Sequence, residues 1–179
     1  GVTEFRRVLF RSPPPLAPTL QSVLSQPFQP LLRELRQRGF QVHLAPPPAP
    51  GVYGQFVPER RAIWVAPIAF ELGIGPQTLL HEVTHAVQSC PNGVVVPVGW
   101  KLPLQPVVGQ EIGGILTRGY QHGDRAAERE AFAMQGQPDA IPQLLSALRS
   151  RCPPPGPGRR KSVVSVRLKP QAAWPEPLR

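Results

Sequence analysis

The sequence predicts an α+β protein with one folded domain, in which a small antiparallel sheet precedes a series of helices. Strand-like runs lie in the first half of the chain and longer helix-like runs in the second. The chain has 179 residues, and its 41% apolar content is enough to build one core. Its 26 prolines cluster at 13–15, 46–50 and 153–157, so we expect the folded domain to cover residues 30–152.

The segments outside this domain are expected to be irregular. Residues 1–12 look like the translation of a sequencing adapter, so the native N-terminus is expected to be missing and this leader is excluded from the fold. Residues 13–29 are predicted to be a proline-rich linker with a short helix at Ala17–Ser25. Residues 153–179 are rich in proline and arginine and predict a disordered basic tail.

The domain is predicted to begin with one helix and three strands. Pro30–Arg38 is predicted to be a helix because leucines recur on one face. Phe40–Leu44 alternates apolar and polar residues, as a strand does, and His43 falls on its polar face. We therefore expect His43 to be solvated and not a metal ligand. Val52–Val57 and Ala62–Ala66 flank a turn and predict a hairpin.

The second half is predicted to contain a long helix over Pro76–Ser89, because proline is tolerated at the first helical position and no breaker follows it. Its apolar residues recur at helical spacing: Leu79, Val83, Ala86 and Val87. Gly93–Val108 predicts an irregular loop, and Gln110–Arg118 a helix weakened by two glycines. Ile141–Arg151 predicts an amphipathic helix.

The long helix carries the motif His81-Glu82-Val83-Thr84-His85. Residues four apart lie above one another on a helix, so His81 and His85 can bind one Zn²⁺ together. Glu82 then lies beside the metal, where it can take a proton from a bound water. The alternative is a buried helix whose histidines only form hydrogen bonds with their neighbours.

A third ligand is required, because a catalytic zinc takes three protein ligands and keeps one position for water. Acidic candidates occur at or near a predicted helix over 124–134: Asp124, Glu128 and Glu130. Glu128 and Glu130 are two apart, so both cannot face the same metal. The remaining alternative is a solvated acidic face.

The motif, followed by Glu128-Arg-Glu-Ala131, resembles the gluzincins, metallopeptidases whose second helix supplies a zinc-binding glutamate. The resemblance assigns the third ligand to Glu128. Many gluzincins have an aspartate four residues later to orient a zinc-bound histidine, and this chain has Phe132 there. The histidines must then be oriented by other residues, or Glu130 is the ligand. Residues 30–152 also resemble small bacterial zincin-like proteins of a cyanobacterial type, which have no defined substrate.

The resemblance implies a zincin-like fold and a zinc metallopeptidase acting on a peptide or protein, which an edge strand would bind by strand addition. Zn²⁺ would lower the pKa of its water toward about 7, and Glu82 would take the proton. Tyr120 and His122 are candidates to stabilise the developing oxyanion, or are ordinary loop residues. The main alternative is a non-catalytic zincin-fold protein whose metal holds the fold or binds a partner.

The two cysteines, Cys90 and Cys152, follow two predicted helices and lack metal-site spacing. We expect a disulfide, and with it export to the periplasm or the medium; two reduced, buried cysteines are the alternative. The net charge of +9 is concentrated at the chain ends without aromatic interleaving, so sequence-specific nucleic-acid binding is not expected. No apolar run of about eighteen residues is present to span a membrane.

Overall fold

The computed structural model describes Leu24, residues 26–103 and residues 125–156. These residues form a mixed α+β structure, as predicted. Its helices and strands are α1 (Gln29–Gln37), β1 (Gln41–Leu44), β2 (Gly54–Val57), β3 (Ala62–Val65), α2 (Pro67–Glu71), α3 (Gly75–Gln88), α4 (Arg125–Gln135) and α5 (Ala140–Arg151). The leader, most of the linker helix, the predicted helix Gln110–Arg118 and the tail beyond residue 156 lie outside the described residues.

Within the described residues the sheet has three strands, in the order β1-β3-β2. The predicted hairpin is confirmed, since β2 pairs antiparallel with β3 and Gln55 lies opposite Trp64. The prediction of an antiparallel sheet is wrong for β1, which pairs parallel with β3, with His43 also opposite Trp64. The sheet is therefore mixed.

The proline-rich connection between β1 and β2 explains this difference. Proline has no N–H to donate, so the four prolines of residues 46–50 cannot donate to a ladder beside β1. The connection instead leads to the opposite edge of the sheet, where the backbone N–H of Ala49 donates to the side chain of Gln55 at 2.8 Å. The central position is left to β3, whose Ile63 and Val65 are fully buried.

Helix α3 lies at the centre of the structure, between the sheet and the helices α4 and α5. Its predicted apolar face is confirmed, because each of the four residues is 0% exposed: Leu79, Val83, Ala86 and Val87. Among the described residues, no helix is long and apolar enough to cross a bilayer.

The ends of α3 and α5 are joined by a disulfide between Cys90 and Cys152, with their Cα atoms 5.1 Å apart. The predicted bridge is confirmed, and such bridges are typical of proteins in oxidising compartments. Arg38, just after α1, donates to the carbonyl oxygen of Cys152 at 2.7 Å. Glu34 of α1 pairs with Arg38 and with Arg149 of α5, each at 2.9 Å. These contacts fasten α1 and α5 together at the end of the molecule that carries the disulfide.

Candidate metal centre

Two imidazoles meet on the face of α3 that packs against α4. His81 and His85 are one helical turn apart, and their Nε2 atoms are 3.1 Å from each other. The rings are nearly perpendicular, with an interplanar angle of 80°. Both residues are only 8% exposed, so this face of the helix is covered and does not look into solvent.

Glu128, in the first turn of α4, completes the group. Its Oε2 atom is 3.4 Å from Nε2 of His81, and its Oε1 atom is 3.4 Å from Nε2 of His85. The three ligand atoms all lie within 4.8 Å of one another, a spacing at which one metal ion could be held. The structure thus brings together the three residues that the sequence and the resemblance selected as ligands.

The donor atoms fit a cation. Oε2 of Glu128 is buried and has no hydrogen-bond partner among the described residues, which is costly for a carboxylate unless a positive charge lies beside it. Burial raises the pKa of Glu128, but the close imidazoles of His81 and His85, each 3.4 Å from a carboxylate oxygen, outweigh this effect and lower the pKa to about 2. Burial lowers the pKa of His85, and the close carboxylate of Glu128, 3.4 Å from Nε2, outweighs that effect and raises the pKa. The local field therefore favours positive charge where the three side chains converge.

Glu82 lies next to this group under strand β2. Burial raises its pKa, and the negative charge of Glu128 acts in the same direction, while the two imidazoles oppose it. The backbone N–H of Phe56 donates to its carboxyl group. A buried carboxyl with a raised pKa is well suited to accept and return a proton near neutral pH.

Gly54 allows β2 to lie this close to Glu82. A Cβ atom on Gly54 would be 2.7 Å from Oε1 and 2.9 Å from Cγ of Glu82, closer than real Cβ contacts. It would also collide with the methyl group of Thr78, one turn earlier on α3. The glycine is therefore required by the close approach of the strand to the helix.

Two glutamines orient the imidazoles in place of the aspartate that the resemblance leads one to expect. Nδ1 of His81 donates to Oε1 of Gln135 at 3.1 Å, and Nδ1 of His85 donates to Oε1 of Gln88 at 2.8 Å. Phe132, at the expected aspartate position, packs edge-on against the ring of His81 with centroids 4.6 Å apart. Sequence reasoning missed both glutamines, although Gln88 is three residues after His85 on the same helix face.

Other sequence candidates are not part of this group. Glu130 turns its carboxylate toward the loop after α3, where it accepts hydrogen bonds from backbone N–H groups. His43 stacks on Trp64 with centroids 4.9 Å apart on the sheet, and it is half-buried, not fully solvated. Asp124, Tyr120 and His122 lie outside the described residues.

Comparisons with known proteins add no assignment, since no family model, curated protein or solved structure gives a significant match to this chain.

Proposed function

We propose that this protein is a zinc-dependent hydrolase of peptide bonds, in which His81, His85 and Glu128 hold the metal. The observation that carries the proposal is the convergence of these three side chains beside a fourth, Glu82, whose burial raises its pKa. Two imidazoles and one carboxylate are a common ligand set for catalytic zinc, and it leaves one coordination position open.

Zinc bound there would polarise a substrate carbonyl and bring the pKa of a coordinated water toward about 7. In this mechanism Glu82 would accept a proton from that water through a carboxylate oxygen and later give it to the nitrogen released when the peptide bond breaks. Gln88 and Gln135 hold the rings so that Nε2, and not Nδ1, points at the common centre.

A peptide is favoured as the substrate because β2 is an edge strand next to Glu82. In the order β1-β3-β2, one side of β2 has no strand partner among the described residues. Phe56 and Gly54, which contact Glu82, belong to this strand. An extended peptide added to that edge would run past the carboxyl group of Glu82, and main-chain hydrogen bonds would hold it.

One observation favours a second candidate, a non-catalytic metal site that holds the fold. The hydrogen bond from Phe56 gives Glu82 a structural use, because it joins β2 to α3. The three ligands likewise join α3 to α4. In this alternative the metal would stabilise the packing of the helices and Glu82 would transfer no proton.

Metal content and turnover of a broad peptide library, measured together, separate the two candidates. For the hydrolase we expect about one zinc per chain in the wild type and in Glu82→Gln, turnover in the wild type, and none in Glu82→Gln. His85→Ala should lose both the metal and the activity, and the exposed Glu71→Gln should keep both. Zinc binding without turnover in the wild type supports the structural alternative, and turnover retained in Glu82→Gln contradicts the proposed role of Glu82.

A further inference from the structure

Glu130 lies two residues after Glu128 but gathers a different set of partners. Its carboxylate accepts hydrogen bonds from the backbone N–H groups of Val98, Gly99 and Trp100, each at 2.7 Å. It also accepts one from Nε2 of Gln88 at 2.9 Å. A carboxylate has about four acceptor positions, so these four bonds use its full capacity. Glu130 is only 7% exposed, and its contacts leave no oxygen directed at the imidazole pair.

Gln88 is held in one orientation by these contacts. Its side-chain nitrogen has two protons, and both are used: one bonds to Glu130 and the other to the carbonyl oxygen of Ala127 at 2.9 Å. If the amide were rotated by half a turn, its oxygen would face a carboxylate and a carbonyl, neither of which can donate. The oxygen of Gln88 must therefore point to the opposite side, toward His85.

This orientation determines where His85 carries its proton. The oxygen of Gln88 is 2.8 Å from Nδ1 of His85, and an amide oxygen can only accept. The neutral ring must then have its proton on Nδ1 and its lone pair on Nε2. Nε2 is the atom that faces His81 and Glu128, so the lone pair is directed at the centre of the metal group.

We propose that Glu130 is a positioning residue that selects the metal-binding tautomer of His85 through Gln88. The proposal rests on the metal site described under the proposed function, and it extends that site to the loop at residues 98–100. Because one carboxylate holds both the loop backbone and Gln88, the placement of this loop and the readiness of His85 to bind a metal depend on the same residue.

The first test is the zinc affinity of the purified full chain, measured by competition with a chelating dye. Glu130→Gln replaces one acceptor oxygen by an NH2 group, so Gln88 keeps the carbonyl oxygen of Ala127 but loses the carboxylate as the second acceptor that fixes its orientation. We expect zinc binding to weaken by about 10- to 100-fold, the usual effect of losing a partner that orients a ligand. Glu71→Gln, which removes a charge from an exposed position, should leave the affinity unchanged.

A double variant that exchanges the amide and the carboxylate between positions 88 and 130 distinguishes a positioning role of Glu130 from a merely structural one. In the double variant Gln88→Glu/Glu130→Gln, the new carboxylate at position 88 again accepts from Nδ1 of His85, and the new amide at position 130 donates to it. We expect part of the lost zinc affinity to return, because Nδ1 of His85 regains a fixed acceptor, while the carbonyl oxygen of Ala127 and the N–H of Val98 lose the partners that they have in the wild type. A double variant that binds zinc no better than Glu130→Gln overturns the proposal, as does a folded Glu130→Gln with wild-type affinity.

The tautomer of His85 can also be measured directly in the metal-free wild type, so this test does not depend on the folding of a variant. Nitrogen-15 chemical shifts of the neutral His85 ring should place the proton on Nδ1, and in Glu130→Gln a substantial fraction should move to Nε2. The spectra are recorded at a pH above the pKa of His85, and a neutral wild-type ring with its proton on Nε2 overturns the proposal. This readout needs no zinc, so a wild type that binds no metal would contradict the proposed function while the tautomer still decides the role of Glu130.

Discussion

The surroundings of Glu128 indicate a bound cation more strongly than those of the other site residues. Glu128 is an ionised carboxylate with its pKa held at about 2, and one of its oxygens is buried with no hydrogen-bond partner in the part of the chain that the structure describes. The imidazoles on either side are its described neighbours at 3.4 Å. A metal ion at this point would satisfy all three side chains at once.

Replacing this carboxylate by an amide is expected to weaken metal binding strongly. Glu128→Gln keeps the shape of the side chain but removes the negative charge, so we expect zinc affinity to fall by more than about 100-fold, beyond the loss of an orienting partner. Chelator competition measures the affinity, and the exposed Glu59→Gln serves as the matched control. Equal affinities of wild type and Glu128→Gln would remove Glu128 from the ligand set.

Gly54 offers a test of Glu82 that leaves the ligands untouched. The methyl group of Gly54→Ala would overlap Glu82 and Thr78, so the strand or the carboxyl group must move. We expect a loss of about 1–3 kcal/mol in unfolding free energy and a large fall in turnover, with zinc content unchanged. Gly156→Ala, which meets no atom within 4 Å, is the control. Unchanged turnover in Gly54→Ala would show that the close approach is not needed for activity.

Among the individual residues of the site, the sequence predicted those of the motif but not those that orient them. Helix spacing alone places His81 and His85 on one face, and the resemblance led to Glu128. Gln88 could have been found from its position three residues after His85. The contacts of Glu130 could not, because its partners Val98 to Trp100 are about thirty residues away in sequence and meet it only through the fold.

At the scale of elements, α1 and α5 are joined by an ion-pair network centred on the buried Glu34. Burial raises the pKa of Glu34, but hydrogen bonds and charges from Arg149 and Arg38 outweigh it, so the pKa lies below its ordinary value. A carboxyl with a lowered pKa in the folded state contributes stability that is present above its unfolded pKa. That contribution is lost as the pH falls through the folded pKa.

Glu34→Gln should therefore lower the unfolding free energy at neutral pH, by about 1–2 kcal/mol since Arg149 is largely exposed. The difference from the wild type should shrink as the pH is lowered below the ordinary pKa of a glutamate and through the lowered pKa of Glu34, where the carboxyl of the folded wild type becomes protonated. Urea unfolding at several pH values measures this difference, with Glu59→Gln as the control. A difference that is constant across this range would contradict the proposed charge contribution.

Local patterns predicted which segments form helices and strands better than they predicted how the strands pair. Strand alternation at residues 40–44 located β1, and the turn at 58–61 located the hairpin. The parallel pairing of β1 with β3 depends on the path of the proline-rich connection, which leads to the far edge of the sheet. Strand alternation and turn residues do not predict that path. The short helix α2 was missed because its five residues, Pro67–Glu71, are too few for helical periodicity to be visible.

At the scale of the whole molecule, the disulfide is the largest single constraint on the unfolded chain. Cys90 and Cys152 are 62 residues apart in sequence, and closing a loop of that size corresponds to about 4 kcal/mol on the chain-entropy account. The bridge joins the helix that carries the imidazoles to α5, and not to α4. The metal ligands therefore need not move when the bridge is removed.

The double variant Cys90→Ser/Cys152→Ser should lose up to about 4 kcal/mol of unfolding free energy. Denaturant unfolding measures the loss, and reduced wild type should behave like the variant. Zinc affinity of the fraction that remains folded should match the oxidised wild type. Equal stability of the oxidised and reduced wild type would contradict the stabilising role of the bridge.

The most direct test of the account is to locate bound zinc by anomalous diffraction from crystals of the full chain grown with Zn²⁺. We predict one strong site, with Nε2 of His81, Nε2 of His85 and a carboxylate oxygen of Glu128 each about 2.0–2.2 Å from the metal. Glu130 should remain bonded to the backbone of residues 98–100. Zinc bound elsewhere, or coordinated by Glu130 in place of Glu128, would contradict the account.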